Sequence, residues 1–101
     1  MDYQKLIISG NATADAEAKE SQKGNIYTPF TVAVNDGKNN EATFFPVVAF
    51  GKTAEAVAKV VKKGQVVLVE GRVSLSEDGK MSVLADRVVF GPKPAGRQAD
   101  E

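Results

Sequence analysis

Apolar and β-branched residues gather in five short stretches that are separated by polar or glycine-containing turns. Alternation or short apolar runs bounded by such turns are typical of β-strands. Turn chemistry is clearest at Gly24 and at Gly79, where polar residues flank the glycine. We therefore predict five strands, over residues 3–10, 26–35, 42–50, 65–75 and 81–90.

One further segment has the spacing of a helix. We predict a helix over residues 53–63, opened by Thr53 or Gly51 and followed by Gly64 at a left-handed C-cap. Apolar side chains at i, i+3, i+4 and i+7 form one face of such a helix. The residues at these positions are Ala54, Val57, Ala58 and Val61.

The predicted order is β-β-β-α-β-β. Five strands with one helix between the third and the fourth is the order of the OB-fold, a small five-stranded Greek-key barrel that commonly binds oligonucleotides or oligosaccharides. Residues 12–21 carry no clear period and are predicted to be irregular or weakly extended. We expect residues 1–90 to form the OB-fold domain. Residues 91–101, with two prolines and no period, should form a flexible tail.

Composition excludes most catalytic chemistry. The 101 residues include no cysteine and no histidine, which removes disulfides, Cys/His zinc sites, thiol nucleophiles and histidine acid-base catalysis. We expect no enzymatic activity, no cofactor and no metal. No N-terminal stretch resembles a secretion signal and no apolar run is long enough to span a bilayer, so a cytoplasmic location is predicted.

Charge is balanced overall but unevenly distributed. The chain carries 13 basic and 13 acidic side chains. Residues 1–51 hold 4 basic and 6 acidic side chains, whereas residues 52–97 hold 9 and 5. A nucleic-acid partner is recognised by clustered rather than total positive charge, so this distribution permits such a partner without requiring one.

The third predicted strand is apolar on both alternating faces. One face should line the barrel, and the other offers Phe44 and Phe50, which share a parity and could stack on bases. Pro46 cannot donate a ladder hydrogen bond, so a bulge there would replace one of this pair by Phe45. These rings could instead belong to the core or to a subunit interface.

Several segments resemble bacterial single-stranded DNA-binding proteins over about residues 3–90. The most specific is the phenylalanine-glycine-lysine stretch that leads into the predicted helix, at Phe50, Gly51 and Lys52. In that family the positions matching Phe44 and Phe50 usually stack on DNA bases. The resemblance also implies phosphate-binding lysines at the positions of Lys5, Lys52 and Lys63. The other matching segments are Gly10-Asn11, the Gly24 turn, residues 44–55, Lys62-Lys63-Gly64 and residues 69–72.

The sequence also departs from the family pattern. The family usually has two further aromatic residues, one in the loop after the second strand and one in a long arm between the last two strands. Here those regions are residues 36–40 and residues 76–80, and neither contains an aromatic side chain. The family's acidic C-terminal tip has no counterpart beyond Asp100-Glu101, which leaves replication or repair partners open.

The predicted function is binding of single-stranded DNA without strong sequence preference, in replication, repair or recombination. The predicted site comprises Phe44, Phe50, Lys5, Lys52, Lys63, Arg72 and Lys80. Apolar residues on both faces of the first strand predict a homo-oligomer, and the resemblance implies a homotetramer of dimers paired through that strand. Two alternatives remain: a primosome-type OB-fold subunit that contacts DNA and protein, and a structural adaptor that binds no nucleic acid.

Overall fold

The computed structural model describes residues 2–35 and 41–92. Residues 36–40, predicted as the loop after the second strand, and residues 93–101 of the predicted tail lie outside this range. The described part contains six strands and one helix. These are β1 (Leu6–Ala12), β2 (Lys19–Glu20), β3 (Ile26–Asn35), β4 (Ala42–Phe50), α1 (Gly51–Val60), β5 (Val66–Leu75) and β6 (Met81–Phe90).

Five of the strands form a closed barrel, in the order β1-β5-β6-β4-β3. The ring closes where the end of β1 pairs with β3, at Asn11 and Ala12. All neighbours are antiparallel except β4 and β6, which run parallel at Val47 and Val48. This topology confirms the predicted OB-fold. It also removes most open sheet edges, which would otherwise favour aggregation.

Strand β1 differs from its prediction. It begins at Leu6 rather than residue 3, and it continues through Gly10 to Ala12, where it changes partner from β5 to β3. Gly10 lies where the two strands come closest, since an added Cβ would stand 2.2 Å from the carbonyl oxygen of Ala33. The glycine therefore permits barrel closure and does not end the strand.

Residues 12–21 are more ordered than predicted. Lys19 and Glu20 form the short strand β2, which pairs with Tyr27 and Ile26 at the start of β3. Both residues of β2 are exposed. Its two residues fall below the length at which a hydrophobic pattern identifies a strand, which is why the sequence did not indicate it.

Helix α1 begins two residues earlier and ends three residues earlier than predicted. Its N-cap is Phe50, which has extended backbone angles, and Thr53 lies within the first turn. Val61 follows as an extended, fully buried C-cap residue. Gly64 does adopt a left-handed conformation, with φ of 87°, but in the turn before β5 rather than at the end of the helix.

The core is rich in valine. It fills the interior of the barrel and includes the buried face of α1. Ala54 and Val57 of α1 are fully buried, and the buried hydroxyl of Thr28 donates to the carbonyl oxygen of Ala54 at 2.7 Å. This bond joins the helix to β3. No helix in the described ranges is both long and apolar enough to cross a membrane.

Candidate nucleic-acid interface

Strand β4 alternates cleanly between the two faces of the barrel wall. Val47 and Ala49 are buried, and Phe45 packs against the core from a half-buried position. The pairing of β4 with β3 runs without interruption through Pro46, which lies opposite Thr31. No bulge shifts the parity, so Phe45 does not replace either of the predicted rings.

Phe44 and Phe50 lie on the outer face of β4. Their side chains are 61% and 52% exposed, so neither belongs to the core. Exposed large aromatic side chains carry a hydrophobic cost unless another molecule covers them. The rings are six residues apart, which at about 3.3 Å per residue separates their Cα atoms by roughly 20 Å. This outer face therefore presents two exposed aromatic rings along one strand.

Lys52 and Lys63 lie near opposite ends of α1. Lys52 is exposed in the first turn of α1, two residues after Phe50, and it makes no ion pair with any described residue. Lys63 is exposed in the turn before β5, where its backbone N–H donates to Asp15 at 2.8 Å. Of the two, Lys52 lies nearer to a predicted stacking ring along the chain.

Lys5, in the segment before β1, lies close to Arg72 of β5. Lys5 pairs with Glu70 at 3.5 Å, and Arg72 pairs with Asp86 at 3.7 Å. These four side chains line one depression of about 590 Å³. Arg87, which the sequence did not single out, also pairs with Glu70, at 3.8 Å. Each cation here has a carboxylate neighbour with which a phosphate would compete.

Lys80 occupies the tight turn between β5 and β6. This turn is closed by a hydrogen bond from the N–H of Ser76 to the carbonyl oxygen of Lys80, at 2.9 Å. Lys80 pairs with Asp78 at 3.9 Å. Hydrogen bonds from the Ser76 hydroxyl and the Lys80 backbone hold the pKa of Asp78 below its usual value, so its carboxylate is charged at neutral pH.

Strand register places part of the predicted set on one surface. Arg72 lies opposite Leu84 of β6, and Leu84 is level with Val48 of β4. Val48 has the same parity as Phe44 and Phe50, so Arg72 shares their outer face. Lys80 lies in the turn before β6, outside the two residue pairs that join β4 to β6. Lys5 comes directly before Leu6, which pairs with Gly71, so it lies beside Arg72 at the same level of the barrel. Lys63 lies in the turn before β5, outside these strand pairs.

Sequence reasoning missed one aromatic neighbour. Tyr27 of β3 lies directly opposite Phe50, and Lys19 of β2 lies directly opposite Tyr27. The three residues form a row across three strands. The sequence indicates only that Tyr27 alternates with the buried residues of β3 and so points outward. Its position opposite Phe50 depends on the register between β3 and β4, which the sequence does not indicate. Within the described residues, no group of three or more acidic side chains is arranged to hold a metal ion.

The barrel topology, the exposed rings on β4 and the nearby cations are features that OB-folds of the nucleic-acid-binding class share. The single-strand binding protein family model matches residues 3–84. The chain belongs to this family.

Individual relatives agree with that membership. The chain is 36% identical over 100 residues to the single-stranded DNA-binding protein of Fusobacterium nucleatum, covering 85% of this chain and 65% of that one. It is 41% identical over 70 residues to the mitochondrial single-stranded DNA-binding protein rim1 of Schizosaccharomyces pombe, covering 68% and 47%. The chain thus spans about half to two thirds of the length of these relatives.

A solved structure shares the fold. It is a deletion mutant of the single-stranded DNA binding protein from Thermus aquaticus, with a TM-score of 0.79 and 25% sequence identity. The match covers 91% of this chain and 42% of the Thermus chain. Almost all of the present chain therefore matches less than half of a longer relative.

Proposed function

We propose that this chain binds single-stranded DNA without strong sequence preference and protects it during replication, repair or recombination. The observation that carries the proposal is the pair of exposed rings, Phe44 and Phe50, on the outer face of β4 in a member of this family. A ring face accepts any base, and one stacked base contributes about 1–3 kcal/mol. Such a surface binds strands of any sequence, and its task is binding rather than catalysis.

The backbone of the strand would be held by cations around these rings. Lys52 needs no rearrangement to reach a phosphate, because it is exposed and unpaired within the described part of the chain. Arg72, Lys80 and Lys5 have carboxylate partners, but exposed ion pairs contribute little, so a phosphate can displace a carboxylate at small cost. Lys63 completes the predicted set. Phosphate contacts fix the path of the strand without reading its sequence.

The same proposal includes self-association. One edge of β1 pairs with β5 from Leu6 to Asn11, and the opposite edge pairs with β3 only at Asn11 and Ala12. This second edge has no strand partner from Leu6 to Gly10 among the described residues. Ile7 on this strand is 56% exposed. An open edge with exposed apolar residues can pair with the same edge of a second copy. Dimers joined in this way, and a tetramer of two such dimers, are the proposed assembly.

Three finer expectations accompany the proposal. The OB-fold unit comprises residues 1–90, followed by a tail over residues 91–101, and the protein acts in the cytoplasm.

A fluorescently labelled dT oligonucleotide, titrated at low salt and followed by anisotropy, tests the function. Saturable binding that an unlabelled mixed-sequence oligonucleotide displaces with similar affinity supports the proposal. Absence of binding would contradict it and would favour a structural adaptor, in which the rings of β4 contact protein. Binding that appears only with a second protein would favour the primosome-type alternative.

A further inference from the structure

The row formed by Lys19, Tyr27 and Phe50 adds a second ring to one of the stacking positions. Tyr27 and Phe50 are directly opposed on the antiparallel strands β3 and β4, and opposed residues have Cβ atoms about 4.5–5.5 Å apart. Both side chains point to the outer face. Phe50 is about half exposed and Tyr27 is partly exposed, so ligand can reach both rings.

The two rings line a depression that also has a polar rim. Its volume is about 360 Å³, and its lining includes Ser21 and Asn25 from the β2–β3 turn. Ligand pockets typically range from about 300 to 1,000 Å³ and combine apolar walls with a few polar groups. The side-chain amide of Asn25 makes no hydrogen bond within the described residues. It is therefore free to bond to a ligand that enters the depression.

Both sides of the depression are held in place. In the turn, the backbone N–H of Ser21 donates to the carbonyl oxygen of Asn25 at 2.8 Å, and that of Asn25 donates to the Ser21 hydroxyl at 3.1 Å. On the other side, the buried bond between Thr28 and Ala54 fixes β3 against α1, one residue from Tyr27. A site prepared in this way loses little entropy when it binds.

Charge around the depression suits a polyanion. Lys19 lies at one end of the row, beside Tyr27, and Lys52 follows Phe50 at the other end. Neither lysine forms an ion pair with a described residue. An aromatic floor, an amide donor and acceptor at the rim and two cations outside match a nucleotide, whose base is flat and polar-edged and whose phosphate is negative.

We propose that Tyr27 and Phe50 together form a single base-binding step, in which one base of the bound strand lies against both rings with its polar edge near Asn25. This inference rests on the proposed binding of single-stranded DNA and deepens it. The second ring belongs to β3 in the barrel wall.

Tyrosine fluorescence provides a direct test, because the chain has two tyrosines and no tryptophan. In a Tyr3→Phe variant, Tyr27 is the only strong emitter. Unlabelled dT oligonucleotide should quench its emission in step with binding measured by anisotropy of a labelled strand. N-acetyl-tyrosinamide mixed with the same DNA corrects for absorption by the bases. Binding with no quenching beyond that correction would overturn the inference and leave the proposed function standing.

Affinity measurements provide a second test. Tyr27→Leu should weaken dT binding by about 5-fold or more, the low end expected for loss of a stacked base. Tyr27→Phe keeps the ring and should bind several-fold more tightly than Tyr27→Leu. Equal loss in both variants would overturn the stacking role. If Tyr27→Leu does not fold, as its melting curve would show, the fluorescence of the intact ring decides. Absence of any binding by the wild-type protein would overturn both proposals.

Discussion

Phe44 and Phe45 are adjacent rings with opposite surroundings. Phe44 is exposed on the outer face, whereas Phe45 packs against the core. We expect Phe44→Ala and Phe50→Ala each to weaken dT binding by about 1–3 kcal/mol with little change in melting temperature. Phe45→Ala should instead lower the free energy of unfolding by roughly 3 kcal/mol, because it leaves a cavity beside the core.

The comparison needs DNA affinity and thermal unfolding measured on the same three variants. Phe45→Ala serves as the control, since it removes the same number of atoms one residue away. If Phe44→Ala lost stability and kept its affinity per folded molecule, the ring would have a packing role and the stacking assignment would be wrong.

Gly10 is required by close approach of two backbones. A Cβ at this position would stand 2.2 Å from the carbonyl oxygen of Ala33, and neither backbone can move without opening the barrel. Gly10→Ala should therefore destabilise the fold by about 1–3 kcal/mol, as overpacking usually does. Ser9→Ala, at an exposed neighbouring position, should change stability by less than about 0.5 kcal/mol. Urea unfolding of both variants checks this, and equal stability would contradict the steric argument.

Sequence alone predicted the parity of Phe44 and Phe50, because alternation along a strand is a local property. It did not predict the ion pairs of Lys5 and Arg72. Those pairs depend on which strands become neighbours, since Arg72 of β5 and Asp86 of β6 meet across two strands that also shift in register between Glu70 and Gly71. Tyr27 escaped notice for the same reason, since its partner Phe50 lies 23 positions away along the chain.

At the scale of elements, the order of long strands and the existence of the helix were predictable from period and turn residues. The ends of the helix were not. Its four apolar positions continue to Val61, but Val61 leaves the helix to enter the core in an extended conformation. At the other end the helix starts directly from the last residue of β4. Burial of Val61 thus decided the C-terminal boundary and the end of β4 decided the N-terminal one, and the local pattern indicated neither.

The open edge of β1 leads to a prediction about assembly. Ile7→Glu should weaken self-association, because a two-fold pairing of β1 brings two such carboxylates close together on an apolar surface. Sedimentation velocity at micromolar concentration should show a smaller species for this variant than for the wild-type protein. Gln22→Glu adds the same charge in the exposed β2–β3 turn and should leave the assembly unchanged.

Two results would contradict this model of assembly. A monomeric wild-type protein at micromolar concentration would remove the basis for the proposed oligomer. An Ile7→Glu variant with unchanged sedimentation would show that subunits associate through another surface. In that case the exposed apolar residues at the end of the β5–β6 hairpin, Leu75 and Met81, would be the next to test.

At the scale of the whole molecule, zero net charge does not prevent binding to a polyanion, because the charges are locally arranged. On the proposed DNA-binding side, the described carboxylates Glu70, Asp78 and Asp86 each lie within 4 Å of a proposed phosphate-binding cation. They reduce the positive potential in the free protein and compete with phosphate. The electrostatic part of binding should therefore be modest, with stacking supplying much of the affinity.

Salt dependence measures this balance. With about four phosphate contacts, counterion release gives a slope of log affinity against log salt of roughly −3, at about −0.7 per contact. Lys52→Ala should make the slope shallower by about 0.7 and weaken all sequences alike, because it removes one contact that does not read bases.

Asp78→Asn removes a carboxylate that is ionised at neutral pH, which frees Lys80. We expect slightly tighter binding at low salt and a slightly steeper slope. Tight binding with a slope near zero would show that stacking alone holds the strand and that the proposed cations do not contact it.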